Sequence, residues 1–503
     1  MQVKKQIKYG ALISYIALAT NICVTLLYTP WMVAHIGKEQ YGLYTLAISL
    51  INLFLVDFGL STSVARFIAK YRAEDDISSI NNFVAAVSRL YIGIDIVIFA
   101  IVLSIFPFLG SIYSGLTHQE LEVFRVIFIL VTGFNLIAFP ATTLSGYLNA
   151  YEQFVPLKIC DLLHKILTVV LVVLALLLGG GVISLVIATA ISGITIIIFK
   201  FFIVQKKTDI RMTISVRNKS VYKEVLSFSI WTMLITVAQR MLYNATPSVL
   251  AITTTSSDVA YFSPAFAMQG YYYSIASAIN GLFLPRITRH LHNDEEDKLL
   301  PLMIRVGKYQ MFIMGLVLSG FVVIGREFMI LWMGNDFEIS YYCTICMIIP
   351  QLFECSQQIG YTSIMAKGLV KYQALLMFFT SVVGLPLSFF LSRSYGVIGS
   401  CTALLIAGLI NVVGIDVILK RKMNFEMRVF FRKCYFRTIP PIIAAILIGT
   451  YVVSFIRPVG LSWLFVKGGI ITIIYAVLMA TFALSKGEKV KIKRYIKNKV
   501  VRG

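Results

Sequence analysis

The chain is short of the residues that a soluble enzyme depends on. Charged residues make up only 14% of its 503 positions, with 24 acids and 5 histidines, beside 58% hydrophobic residues. That leaves too little polar surface to keep a soluble domain from aggregating. No G-x-x-x-x-G-K-[ST] phosphate loop occurs, and the segments between apolar runs are too short for an ATPase domain, so any driven process must be secondary or downhill. The first apolar run is too long for a signal-peptide core and lacks a small-residue cleavage site, so it reads as a retained span. The seven cysteines are an odd number and lie mostly within apolar runs. Cys343-x-x-Cys346 has no nearby histidine and no second pair, which favours packing thiols over metal or redox chemistry. No metal and no cofactor is expected.

What the chain has in quantity is apolar runs of roughly 20 residues, the length that crosses the hydrocarbon core as a helix. The first set of six spans is expected at residues 9–31, 41–63, 83–107, 123–148, 157–178 and 182–204. A second set of six is expected at 223–247, 258–284, 305–325, 341–365, 372–391 and 397–419, and two more at 439–455 and 462–484. The fold class is therefore an all-α polytopic membrane protein of about 14 transmembrane helices.

A net charge of +21 could point to nucleic acid, but the placing of Lys and Arg points to topology instead. With the N-terminus inside, Lys4, Lys5, Lys8, Arg66, Lys70, Arg72 and Lys158 fall on one side. The basic stretches at 200–223, 286–308, 367–371, 420–437 and 486–502 fall on that side too. The outside loops hold little beyond Lys38, Arg125, Arg326, Arg393 and Arg457. Both termini are expected in the cytoplasm, and no nucleic-acid partner is. The tail at 486–503 alternates Lys and Arg with Val490, Ile492, Tyr495 and Ile496. It reads as an amphipathic helix on anionic lipid, as a solvated end that enforces topology, or as a dock for synthesis machinery.

An internal repeat appears when the chain is shifted by 220 residues, which sets Tyr41 on Tyr261, Ala47 on Ala267 and Arg66 on Arg286. Both copies then turn from basic to acidic, RFIAKYRAEDD against RITRHLHNDEE. A weaker echo pairs Gly181-Val182-Ile183 with Gly396-Val397-Ile398. Six helices per copy leave both copies pointing the same way, related by a parallel pseudo-two-fold. The expected organisation is an N-lobe at 1–204, a cytoplasmic linker at 205–222, a C-lobe at 223–420, a two-helix extension at 421–485 and the basic tail.

The opening span followed by Gly37-Lys38-Glu39-Gln40-Tyr41-Gly42-Leu43-Tyr44, then Asp57-Phe58-Gly59-Leu60 and Ala65-Arg66, resembles the polysaccharide or O-antigen (Wzx-type) flippases. These belong to the multidrug/oligosaccharidyl-lipid/polysaccharide (MOP) exporter superfamily, and the twice-six-plus-two layout extends the likeness over the whole chain. The resemblance implies alternating access and export of a lipid-linked glycan across the bacterial cytoplasmic membrane, with undecaprenyl pyrophosphate as the usual carrier.

Polar residues at helical spacing mark the helix faces that could line a central cavity or bond to neighbouring helices. One face of the first span carries Asn21, Thr25 and Tyr28. The seventh carries Thr232, Thr236, Gln239, Arg240, Tyr243 and Asn244; the eighth Gln269 and Tyr273; the tenth Gln351, Glu354 and Gln358; the fifth Lys158, Asp161, Lys165 and Thr168. Charges at depth are the costly ones, at ~2.5 to 3.5 kcal/mol each near the helix centre. Lys165 lies roughly 12 Å past the inner boundary and Arg240 beyond the midplane. Both could meet a pyrophosphate, which needs fixed positive charge along a low-dielectric path. For Lys165 the rival reading is pairing with Asp161 one turn earlier. Arg89 is a shallower phosphate candidate, and Arg89, Asp57 and Asp416 could be relieved by snorkelling or hydration. Asp95 and Glu354 fall nearest the midplane and, with Asp57, form the expected set for coupling to H+ or Na+. The expected partners are thus the lipid-linked glycan, membrane lipids, a coupling ion and glycan polymerase or synthesis machinery. A multidrug exporter of the same architecture is the first rival. A membrane glycan polymerase or ligase is disfavoured, since the outside loops are brief and show no nucleophile and base pairing.

Overall fold

The structure, a computed structural model, describes residues 2–55, 60–74, 76–210, 219–280, 283–293 and 295–483, and among these every regular element is a helix. The first stretch, α1 (Gln2–Phe54), runs through the first two predicted spans and is interrupted at Gly37, whose φ of 80° and ψ of 164° cannot continue a helix. Only glycine enters that region without a Cβ penalty, so one residue does the work of a loop. Then come α2 (Leu60–Ala73) and α3 (Ile77–Ile105). Asp76 caps α3 by accepting from the Ser79 amide at 2.9 Å and the Ser79 hydroxyl at 2.5 Å. Those two bonds, the hydroxyl first, hold the Asp76 carboxyl below the usual carboxylate range. A short α4 (Leu109–Ile112) leads to α5 (His118–Ala141), α6 (Thr143–Ala150), α7 (Phe154–Leu177) and α8 (Val182–Lys207).

The second half repeats this order. It opens with α9 (Lys219–Asn244), α10 (Thr246–Thr253), α11 (Ser256–Asn280), α12 (Leu284–His292) and α13 (Leu299–Met333). Next are α14 (Ile339–Ser356), α15 (Gln358–Ala366) and α16 (Val370–Lys422). As α5 carries Pro140 before its junction with α6, α14 carries Pro350 before its junction with α15, the ring removing a backbone donor in each. As α1 breaks at Gly37, α16 breaks at Gly396 (φ 58°), dividing the eleventh predicted span from the twelfth. The chain continues through α17 (Met427–Lys433), α18 (Tyr435–Ser454) and α19 (Leu461–Leu478).

Nine helical stretches among the described residues are long and apolar enough to cross a membrane. Two of them, Ile16–Phe54 and Val370–Lys422, are each longer than one crossing requires and contain the glycine breaks. The predicted spans outside this set, 223–247, 258–284 and 341–365, lie on α9, on α11 and on α14 with α15. Helix is kept there, but Thr232, Gln239 and Arg240, then Gln269, then Gln351 and Glu354 dilute the apolar character.

Packing groups the chain into two compact units, one of Met1–Ser263 with Met377–Ala403, the other of Pro264–Leu376 with Leu404–Gly503. In the first, Val64, Phe67, Phe83, Tyr91, Phe139 and Tyr147 form a core where α2, α3, α5 and α6 meet, and α9 packs on α1, α2 and α3. In the second, Met303, Met314, Leu352, Cys355, Leu419 and Phe430 form a core shared by α13, α14, α16 and α17. Here α19 is fastened to α13 by an ion pair, Lys467 Nζ to Glu327 Oε2 at 2.6 Å, with Lys467 only 3% exposed. The Tyr475 hydroxyl sits 2.9 Å from the Phe312 carbonyl on the same interface and donates to it. Large apolar side chains such as Leu178 and Phe465 remain more than four-fifths exposed, which suits a surface solvated by lipid tails.

Candidate functional site: buried polar clusters of the membrane helices

In the second unit, Glu354 is carried by α14 just before the helix breaks at Gln357. Its Oε1 accepts a hydrogen bond from Asn411 Nδ2 of α16 at 3.0 Å, and the same amide donates to the Tyr361 hydroxyl at 2.9 Å. Among the described residues Glu354 makes no ion pair, and the donor recorded on its carboxylate is the neutral Asn411 amide. One turn on, Gln357 Nε2 donates to Asp416 Oδ1 at 2.9 Å and to the Tyr435 hydroxyl at 3.2 Å, and Ser356 and Tyr435 lie 2.9 Å apart. The relief expected for Asp416 from solvent is thus supplied by a carboxamide instead. Gln269 of α11 and Gln351 of α14, both buried, share a hydrogen bond.

In the first unit, Arg240, Tyr243 and Asn244 follow one another at helical spacing on α9, so they share a face; Arg240 and Tyr243 are half-buried and Asn244 is buried. Lys165 is half-buried on α7. Its rival partner Asp161 is engaged otherwise, by Lys158 at 3.2 Å and by Lys200 of α8 at 3.4 Å. Helix α1, which carries a half-buried Asn21, packs against both α7 and α9. Arg89 faces an open groove along α3 with Leu90 and Val97. Asp95 is buried between α3 and α5, lining a small cavity with Thr132 and Asn135. Tyr273, expected with these, is carried by α11 in the other unit and is 44% exposed. Asp57, the tail at 486–503 and linker residues 211–218 lie outside the described residues.

The segment around Ser256, between the seventh and eighth predicted spans, is pressed against its neighbours within the first unit. A Cβ on Gly42 would overlap the Ser256 carbonyl oxygen, and one on Gly115 would overlap that of Thr254. Glu120 closes a capping box with Thr117 at the start of α5, and Ser256 donates its hydroxyl to the same carboxylate. Thr253 and Ser392 of α16 are 2.7 Å apart through their hydroxyls.

Several of these groups escape a reading that looks for charges at depth. Asn135 and Asn411 are single polar residues in apolar runs, where the available signal is only their rarity, while Gln357 and Tyr361 stand among Ser356, Gln358 and Thr362. Lys467 and Glu327 are far apart in sequence and meet only through the docking of α19 on α13.

Comparison with curated proteins gives no match. Among solved structures, the fold is similar to the lipid II flippase MurJ in an inward closed conformation, with a TM-score of 0.71 and 16% identity over 94% of this chain and 98% of that one. It is also similar to an inward-facing multidrug resistance MATE family transporter of the MOP superfamily (TM-score 0.64, 15% identity, 82% of this chain and 99% of that one). A MOP superfamily transporter from Pyrococcus furiosus gives a TM-score of 0.58 at 14% identity, over 82% of this chain and 95% of that one. The likeness fixes an all-α, multi-pass membrane fold of the MurJ and MATE type. The sequence model of the family described as polysaccharide biosynthesis protein matches residues 9–292, more than half of the chain, and to that family the chain belongs.

Proposed function

We propose that this protein flips a lipid-linked oligosaccharide or polysaccharide repeat unit, of the undecaprenyl-pyrophosphate type, across the bacterial cytoplasmic membrane by alternating access. Membership of the polysaccharide biosynthesis family carries the reading, and the fold shared with a lipid II flippase supports it. The moving bodies are the lobes at 1–204 and 223–420, joined by the linker at 205–222, with 421–485 as an extension. Arg240 and, more weakly, Lys165 balance the pyrophosphate charge, with Arg89, Asn21, Tyr243, Asn244 and Tyr273 as further contacts. The test is transfer of a defined lipid-linked glycan across proteoliposomes. Transfer no faster than in empty vesicles would overturn the reading. The second reading, a multidrug exporter, draws on the MATE structures that share the fold. Uptake of organic cations in the same vesicles, without glycan transfer, would favour it.

In this reading both termini and Lys206 are inside and Asp336 is outside. Single-cysteine labelling of intact cells, on a background cleared of native cysteines, reports this: reagent confined outside modifies a cysteine at the exposed Asp336 and spares one at the exposed Lys206. The opposite pattern reverses the orientation.

Glu354, Asp95 and Asp57 are the proposed ion-coupling carboxylates, Glu354 accepting from the neutral Asn411 amide. Glu354→Gln keeps the size and the Asn411 bond but removes the titrating oxygen. A typical coupling energy corresponds to roughly 5- to 150-fold. Stimulation of transport by a proton or sodium gradient should therefore fall by roughly tenfold or more. An unchanged ion response in this variant would leave Glu354 a structural acid.

A further inference from the structure

The cavity between α3 and α5 holds an unusual set of groups for the interior of a membrane unit. Asp95 and Asn135 are each 6% exposed and line it together with Thr132, and Phe54, Phe99 and Val102 close its apolar wall. The space left open to the centre of a water-sized sphere is about 10 Å³, room for one water molecule or one small ion. Both polar atoms of the Asn135 side chain are buried and have no hydrogen-bond partner among the described residues. Thr132 donates its hydroxyl hydrogen to the Phe128 carbonyl at 2.6 Å, so its oxygen offers only lone pairs to the cavity. Among the described residues no lysine or arginine lines the space and Asp95 makes no ion pair. The nearest charges by helix are Arg89, nearly two turns back along α3, and Arg125, which is bonded to Glu122 at 2.6 Å toward the start of α5.

We propose that Asp95, Asn135 and Thr132 form a sodium-ion site within the first unit. A carboxylate, an amide oxygen and a hydroxyl oxygen are the hard donors that such an ion takes, and one carboxylate balances a single positive charge. A divalent ion would leave net positive charge in an apolar cavity, and the space is tight for potassium. The site deepens the ion-coupled reading of transport and rests on that reading for its purpose, but not for its detection. Its test needs no glycan. Thermal unfolding of the purified full chain is followed in NaCl, KCl and choline chloride at equal ionic strength and fixed pH. Sodium alone should raise the midpoint by several degrees in a saturable way, since a ligand that binds only the folded state stabilises by mass action. Asp95→Asn should abolish the shift, and Thr132→Val should move its half-saturation about tenfold higher. A shift equal in potassium, or one retained in Asp95→Asn, overturns the site. So does a shift produced by acid without sodium that is lost in Asp95→Asn, which would mark a protonated Asp95. If Asp95→Asn does not fold, unaltered sodium responses in Thr132→Val and Asn135→Leu overturn it equally. A negative result here leaves glycan flipping untouched, and failure of the glycan assay leaves sodium binding to be judged on its own.

Discussion

Arg240→Ala is expected to abolish flipping while the protein still reaches the membrane in normal amount. Removing one partner of a desolvated, hydrogen-bonded charge pair costs ~2–5 kcal/mol, so the rate with a pyrophosphate-linked substrate should fall by roughly 30-fold or more. Insertion should not suffer, because the helix loses a charge that the bilayer disfavours. Arg240→Lys keeps the charge but loses the planar fork that matches two phosphate oxygens, so it should recover only part of the rate. The assay is glycan transfer in proteoliposomes, with protein content and fold checked in parallel. An abundant, folded Arg240→Ala protein that transports at the wild-type rate would falsify the phosphate role and leave Arg240 as a cross-helix contact of α9.

The second large effect concerns the extension rather than the path. Lys467→Met leaves Glu327 of α13, whose side chain is 20% exposed, facing α19 without its cation, and the second oxygen of Glu327 already has no hydrogen-bond partner among the described residues. Breaking such a pair from one side costs ~3–5 kcal/mol, whereas replacing both members by apolar residues is often neutral or stabilising. The single variant should therefore lower the unfolding midpoint and expose α19 to protease. Lys467→Met combined with Glu327→Leu should return most of the loss. If the single variant unfolds where the wild type does, the pair adds nothing to the docking of α19.

Hydropathy was enough to find the helices, since each predicted span corresponds to helix in the described structure, and Gly37 and Gly396 mark where one crossing ends and the next begins. Boundaries differ where an amphipathic segment adjoins a span: the second span is expected to reach residue 63, whereas α1 ends at Phe54 and α2 starts at Leu60. The site was less legible, for a geometrical reason. Helical periodicity assigns a face, and a face does not name the helix opposite it. Helical spacing offers Asp161 to Lys165 as one of two readings, whereas Lys158 and, from the neighbouring helix, Lys200 take its oxygens. Glu354 was found from its depth, while its donor Asn411 lies 57 residues further along. Asn135 carried no periodic signal at all, and only the register of α5 against α3 gives it a meaning.

The polar character of α9, α11 and α14 has a consequence for how the chain is made. Segments that partition weakly into lipid leave the translocon readily only when a partner offers an alternative to hydrocarbon. For α9 the partners α1, α2 and α3 are already synthesised when it emerges, so the first half can act as a template for its insertion. For the polar middle of α11 the order is reversed, although its first residue, Ser256, meets the earlier Gly42 and Glu120. The buried partner of Gln269 is Gln351, 82 residues downstream, which is still inside the ribosome or awaiting synthesis when α11 enters the bilayer. Biogenesis of the second unit is therefore an interval of waiting, during which α11 must be sheltered until α14 arrives.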